Sequence, residues 1–374
     1  MRIAIDLTSL NDNFTGLERY AYEISTQMVK AHPESVFILV FKGEIPDICK
    51  ELATAENVEI KLIKRKGKLV TNQLILPAEM KKIPADAYLF PAFPIPLMFS
   101  KKNSYVLIAD TVCFDMPQTM KKKAVYYWAA GLKHSARVSK GIFVISDYTL
   151  SRVKEYFPGY EKKAIVAYCG VNAGAFAADS EEKMSEVREK YKLPTKYNLS
   201  LCTIEPRKNL KLLLNAYISL KKEGHELPPL VLSGRAGWKY AGWFDEAKEI
   251  LGEDLLITGF VENEDLPYVY KGADTFVFPT LYEGFGMPPL EAYASGCRRA
   301  LVSDIAVMKE VMGDTALYFK NDDAEALKKA LLEAETAGVA DRRAVMDNIL
   351  RFGWKESAEK IYAMMERGKV GNNP

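Results

Sequence analysis

The chain has 374 residues, 48% of them hydrophobic and 27% charged, and its 51 basic and 49 acidic side chains leave a formal charge of +2. Those proportions describe a soluble globular protein and exclude the electrostatic footprint of a dedicated nucleic-acid binder. At roughly 150 residues per domain, the length predicts two or three domains rather than one.

The near-neutral total conceals an asymmetry. The first 170 residues carry 24 basic and 17 acidic side chains, the remainder 27 and 32. The lysines of the first half fall in runs at 61–68, 81–82, 101–102 and 121–123, which read either as a solvated face or as a surface for an anionic partner. Cys49, Cys113, Cys169, Cys202 and Cys297 are dispersed and odd in number, so a reducing compartment is expected. The three histidines have no ligand-like spacing, and no metal site is expected. Asp6 interrupts the place where a signal peptide needs its apolar core, and no uncharged stretch reaches the roughly 18 residues of a membrane span. The resulting expectation is a cytoplasmic protein without a transmembrane helix.

In chain order, residues 2–7 predict a strand and 17–31 a helix, followed by strands at 36–41, 58–63, 87–90 and 105–109. A helix at 120–139, a strand at 141–145, a helix at 149–156 and a strand at 165–167 complete the first half. The alternation then restarts with a helix at 180–191. Strands follow at 199–203, 229–233, 255–258, 275–278 and 300–303, separated by helices at 209–223, 243–251, 266–272 and 288–295. Helices at 324–335 and 354–367 end the chain. Short apolar strands alternating with helices predict α/β architecture with two doubly wound domains. The boundaries are expected at 1–172 and 173–353, with 354–374 a terminal helix that crosses back onto the first domain. Two such domains facing each other leave a cleft at the carboxyl ends of their strands, where ligands bind in this architecture.

The segment from Phe276 to Glu291 carries most of the chemistry. A strand runs into Glu283-Gly284-Phe285-Gly286-Met287, and Pro288-Pro289 open a helix. Gly284 and Gly286 let the backbone approach a ligand, and the first N–H groups of the helix suit a diphosphate. Glu283 and Glu291 cannot hold phosphate; hydroxyls of a sugar or ribose are their natural partners. The residues alone leave a second reading open, an ordinary strand–turn–helix with a surface glutamate.

Written out, Glu-Gly-Phe-Gly-Met-Pro-Pro-Leu-Glu resembles the E-x7-E motif of retaining GT-B glycosyltransferases of the family-4 type. Glu205-Pro206-Arg207-Lys208-Asn209-Leu210 is similar to the family segment that holds the donor diphosphate, and Thr15-Gly16-Leu17-Glu18-Arg19-Tyr20 to its N-terminal glycine loop. Val144–Asp147, Gly170–Asn172 and Gly313–Phe319 resemble further family segments in the same order. The resemblance implies a GT-B fold of two Rossmann-like domains facing across a cleft, the first binding the acceptor and the second the nucleotide sugar.

Carried over, the resemblance assigns Glu291 to the ribose hydroxyls and Glu283 to the transferred sugar. The backbone N–H groups of Phe285 to Met287 face the sugar and phosphates, beside Gly284 and Gly286. Lys208 with Arg207 neutralises the diphosphate, Gly259, Phe260 and Val261 lie against the base, and Gly16 approaches the phosphate from the first domain. The chain lacks a D-x-D triplet, so no metal is implied. Three positions depart from the family pattern. Ala109-Asp110 replaces a His-Asp pair, leaving Asp110 or Thr111 to orient donor or acceptor. Cys202 stands where some members have arginine, which makes Arg207 and Arg235 the candidate second cations. Cys297-Arg298-Arg299 replaces a segment that contains proline, with an open consequence for the adjacent sugar pocket.

The implied activity is retaining transfer of a hexose, with mannose or a related sugar favoured, to a glycan or lipid-linked acceptor in bacterial surface polysaccharide synthesis. Two alternatives are a sugar-nucleotide 2-epimerase and a non-catalytic sugar-nucleotide-binding subunit. A lysine-rich acceptor domain fits a peripheral position on an anionic membrane at the inner face of the cell membrane.

Overall fold

The computed structural model describes residues 1–12, 16–235, 237 and 243–370. Thr15, part of the predicted glycine loop, lies outside the described residues. The chain divides into two compact units, one formed by Met1–Gly170 together with the segment from Gly353 onward, the other by Val171–Phe352.

In the first unit, β1 (Arg2–Asp6), β2 (Val36–Lys42), β3 (Val58–Ile63), β4 (Ala87–Phe90), β5 (Ser104–Ile108), β6 (Gly141–Val144) and β7 (Ala164–Val166) form one sheet. Its order is β3-β2-β1-β4-β5-β6-β7, and every pairing is parallel. Phe37 to Phe41 are all buried, the continuous apolar signature of a strand covered on both faces. The helix Trp354–Val370 packs on the helix Gly16–Ala31: Tyr362 stacks on His32 at 3.4 Å, and Trp354 meets Tyr20 edge-on at 5.7 Å.

In the second unit, β8 (Asn198–Leu201), β9 (Leu230–Ser233), β10 (Leu255–Gly259), β11 (Thr275–Phe278), β12 (Arg299–Ser303) and β13 (Leu317–Phe319) run parallel in the order β10-β9-β8-β11-β12-β13. The helix Leu210–Lys222 shows why the pattern was legible. Leu210, Leu213, Leu214, Tyr217 and Leu220 recur at helical spacing, and all are buried against this sheet. In both sheets the strand order reverses beside the first strand, between β1 and β4 and between β8 and β11. Those are the switch points where such sheets bind ligands.

Several elements escape the sequence reading, among them the short helices Lys50–Ala53, Val112–Asp115 and Ala306–Met312. β13 has only three residues, two of them half-buried, and the helix Arg342–Ile349 is short and polar on one side. A helical run over 68–82 contains a π-turn at Thr71–Ile75 between its α-helical ends, which shifts the 3.6-residue period and hides the amphipathic pattern. The open question at Cys297-Arg298-Arg299 is also answered. Arg299 opens β12 at its amino end, donating to Asp274 at 2.9 Å and to the Ala337 carbonyl at 3.0 and 2.7 Å. Arg298 reaches the other oxygen of Asp274 at 3.3 Å. This ion pair fastens the edge of the sheet opposite the strands' carboxyl ends, so it does not shape the loops after β8 and β11.

Candidate active site

The loops that leave β8 and β11 flank the switch point of the second sheet. One bond stitches them together, the Leu281 N–H donating to the Arg207 carbonyl at 2.8 Å, and the Thr280 hydroxyl oxygen lies 3.3 Å from the same carbonyl. Glu283 is thereby brought against the basic turn. Lys208 donates to its Oε1, Arg207 to its Oε2 at 3.0 Å, and Thr280 to Oε1 at 2.9 Å. Burial alone would raise the Glu283 carboxyl; Lys208 and then Arg207 outweigh it and hold the group below the ordinary carboxylate value.

Lys208 is itself nearly buried and stands 5.1 Å from the centre of the Phe278 ring. An ammonium has three N–H donors. With one on Glu283, others are available to a ligand oxygen. Arg207 differs from the expectation that it would neutralise a diphosphate alongside Lys208. Its guanidinium is committed to Glu205 at 3.0 and 2.7 Å, to the Tyr282 carbonyl at 2.8 Å and to Glu283. In this structure it holds the Glu283 loop.

Gly286 caps the helix Met287–Ala294 with φ of +94°, and a Cβ there would lie 2.1 Å from Met308 Cε. Only glycine fits. Phe285 is buried edge-on against Phe352 at 5.2 Å, so of this residue the backbone is what a ligand at the helix start could meet. Gly284 precedes it in the same turn. Met287, Pro288 and Pro289 form the first helical turn, and Glu291 follows on the helix, buried, with the Tyr270 hydroxyl 3.1 Å from its Oε2.

Arg235, in the loop after β9, stacks on the Phe260 ring at 4.3 Å. Its carbonyl accepts the Ile204 N–H at 2.9 Å, which places the loop beside the turn that carries Lys208. Gly259 takes φ of +73° and Val261 is buried. Asp110 and Gly16 belong to the other unit. Asp110 follows β5 and accepts the Val112 N–H at 3.1 Å, while Gly16 begins the helix Gly16–Ala31. The sequence reading did not single out Thr280, Tyr270 or Asn209. The first two touch the paired carboxylates, and their spacing gives no signal. Asn209 takes a left-handed backbone, φ +54°, and its buried side-chain nitrogen has no hydrogen-bond partner among the described residues. Among the described residues, no group of three His, Cys, Asp or Glu could hold a metal ion.

Two parallel α/β units with a cation–carboxylate cluster at one switch point define a GT-B protein, and solved structures agree. Anabaena Alr3699/HepE in complex with UDP and glucose matches with a TM-score of 0.72 at 14% identity, over 98% of this chain and 100% of that one. Sucrose-phosphate synthase from Thermosynechococcus elongatus matches at 0.76 and 15%, over 99% and 100%. By sequence, O-antigen chain mannosyltransferase B of Escherichia coli is 34% identical over 232 residues, 60% of this chain and 59% of that protein. Serotype-specific mannosyltransferase WbdA of Escherichia coli is 33% identical over 199 residues, 52% and 24%. The chain thus spans less than two thirds of the length of these relatives. The family described as Glycosyl transferases group 1 matches residues 183–349. That match lies within the second unit, Val171–Phe352.

Proposed function

We propose that the protein is a retaining hexosyltransferase that moves a hexose, with mannose favoured, from a nucleoside-diphosphate sugar to a glycan or lipid-linked acceptor of bacterial surface polysaccharide synthesis. The observation that carries this reading is the Lys208–Glu283 pair at the switch point beside the start of the helix Met287–Ala294. The mannosyltransferase names of the relatives support the choice of sugar.

In such a transfer the bond between the anomeric carbon and the diphosphate breaks, and negative charge collects on the leaving phosphate oxygen. Lys208 and the first N–H groups of the helix supply fixed positive character there, which favours the transition state over the ground state. Glu283, kept ionised by its cations, accepts hydrogen bonds from the sugar hydroxyls, and Glu291 those of the ribose. Arg207 positions Glu283, Arg235 is the second cation, and Phe260 and Val261 border the base. Gly16 and Asp110 of the first unit enter this proposal on the family resemblance alone. No helix among the described residues is long and apolar enough to cross a membrane, and the lysine-rich first unit fits a peripheral place on an anionic bilayer.

Thermal-shift screening against GDP-, UDP-, dTDP- and ADP-sugars tests the reading first, because a ligand at 100 times its dissociation constant stabilises by about 2.7 kcal/mol. The stabilising sugar nucleotide is then incubated with acceptor extracts and the products analysed. Transfer with retained anomeric configuration is expected. An epimerised nucleotide sugar without transfer, or a glycan product that survives both Glu283→Ala and Lys208→Ala, would overturn the proposal.

A further inference from the structure

The glycine-rich turn that opens the helix Met287–Ala294 packs against side chains from elements much later in the chain. Met308, on the helix Ala306–Met312, comes so near Gly286 that a Cβ there would lie 2.1 Å from its Cε. Phe352 meets the preceding residue: its ring stands 5.2 Å from that of Phe285 with 89° between the planes, and both residues are only 2% exposed. An edge-on aromatic pair has a preferred direction as well as an apolar contact. Phe285 therefore cannot turn without losing it, and its backbone N–H, with those of Gly286 and Met287, is aimed by that contact.

Phe352 is itself held in place. Its N–H donates to the Ile349 carbonyl at 3.0 Å, and its carbonyl accepts the Val171 N–H at 3.4 Å. The Arg351 guanidinium lies over its ring at 4.9 Å, and donates to the Asn348 side-chain oxygen at 2.8 Å and to the Glu310 carbonyl at 3.2 Å. Asn348 is buried, and its side-chain nitrogen donates to the Val311 carbonyl at 2.9 Å. Val311 and Met308 share one helix, so the residues packed on Gly286 and on Phe285 are fastened to each other through Asn348. A buried amide with both ends partnered is costly to displace. Core packing alone would explain two buried rings, but it would not need an amide and a guanidinium to fix the loop that carries one of them.

Phe352 is also the last residue of the second unit, and from Gly353 the chain belongs to the first. A shift of the Phe285 turn on binding a ligand thus meets, through a single ring contact, the residue at which the chain leaves the unit. Close-packed interiors pass on such a displacement because they have little room to absorb it.

We propose that Phe352 is a positioning residue of the transfer site: acting through Phe285, it aims the N–H groups of residues 285–287, and it carries the ligand state of that turn to the end of the second unit. That the turn holds a sugar nucleotide rests on the function proposed above; the packing through which Phe352 acts does not. The full-length wild type, Phe352→Leu, Phe285→Leu and the double variant are to be titrated calorimetrically with whichever GDP-, UDP-, dTDP- or ADP-sugar stabilises the wild type most, and their melting without ligand recorded as the control for folding. Each single variant is expected to weaken binding about three- to tenfold, the range of one aromatic pair. The double variant is expected to bind no more weakly than the weaker single one, because the two rings act as a unit. Losses that multiply in the double variant, or wild-type affinity in Phe352→Leu, would overturn the role. Hydrogen exchange on the wild type needs no variant at all. Saturating sugar nucleotide is expected to slow the amides of Leu350 to Phe352 and to leave the helix Ala324–Thr336 unchanged. No slowing at 350–352, or equal slowing of that helix, would refute the coupling. A wild type that binds none of the sugar nucleotides refutes the transferase and this role together, whereas binding that Phe352→Leu leaves intact refutes only this role.

Discussion

Lys208 and Glu283 lie 75 positions apart in the chain and form a nearly buried ion pair, with Arg207 on the second carboxylate oxygen. The pair couples the basic turn after β8 to the glycine-rich loop after β11, so a ligand that recruits Lys208 also meets an oriented Glu283.

Lys208→Ala is therefore expected to lower kcat by about 10²–10³, the usual loss on removing one preorganised transition-state donor. Arg207→Lys is expected to act differently, since a lysine cannot serve Glu205, Tyr282 and Glu283 together. It should disturb Glu283 and raise KM for the donor with a smaller loss in kcat. Steady-state kinetics on both variants checks the contrast, and equal effects on kcat would remove the positioning role of Arg207.

The depressed Glu283 carboxyl gives stability a direction with pH. Its folded value lies below its unfolded value of about 4.3, so its contribution is complete above that pH and disappears as the pH falls through the folded value. Glu283→Gln is expected to be less stable at neutral pH, because Lys208 loses its charged partner, and to show a flatter loss of stability below about pH 4.3. Urea midpoints measured down the acid limb for both proteins decide this. Parallel curves would mean that the pair carries no such linkage.

Gly286→Ala introduces a Cβ where Met308 Cε would be 2.1 Å away, at a backbone angle of +94°. Destabilisation of at least about 1–2 kcal/mol is expected from the left-handed backbone alone. Met308→Ala should recover part of the steric component but none of the backbone component, and thermal denaturation of the single and double variants separates the two.

Arg299→Ala breaks a buried pair with Asp274 and should cost less than about 3–5 kcal/mol, the loss for a fully orphaned buried charge, because Arg298 and Lys196 still reach Asp274. Because the pair fastens the amino edge of the sheet, a folded sample is expected to bind sugar nucleotide with unchanged affinity. A large affinity loss in folded protein would contradict the separation of that edge from the site.

All five cysteines are buried and none forms a disulfide, and burial pushes the Cys49, Cys113, Cys202 and Cys297 thiols up to about 12. Thiol reagents at neutral pH should leave the native protein unlabelled and modify it only after denaturant is added. Rapid labelling of the native form would show an opening that this packing does not provide.

The α/β class was legible because each strand is a short apolar run and each long helix repeats its leucines at helical spacing, signals that depend on nearest neighbours alone. The motif Glu283–Glu291 was legible for the same reason, since glycine, proline and carboxylate fall within one turn and one helix start. β13, with three residues at a sheet edge, and the π-turn at Thr71–Ile75 were not, because neither keeps a period long enough to read. The sequence by itself determined which residue types are present at the site and in what local conformation. Only the tertiary structure decided their partners: Arg207 on Glu205 and Glu283, Tyr270 on Glu291, and Arg299 on Asp274 at the far edge. Pairings between loops dozens of residues apart follow from strand order and register, and a linear pattern does not encode which strands become neighbours.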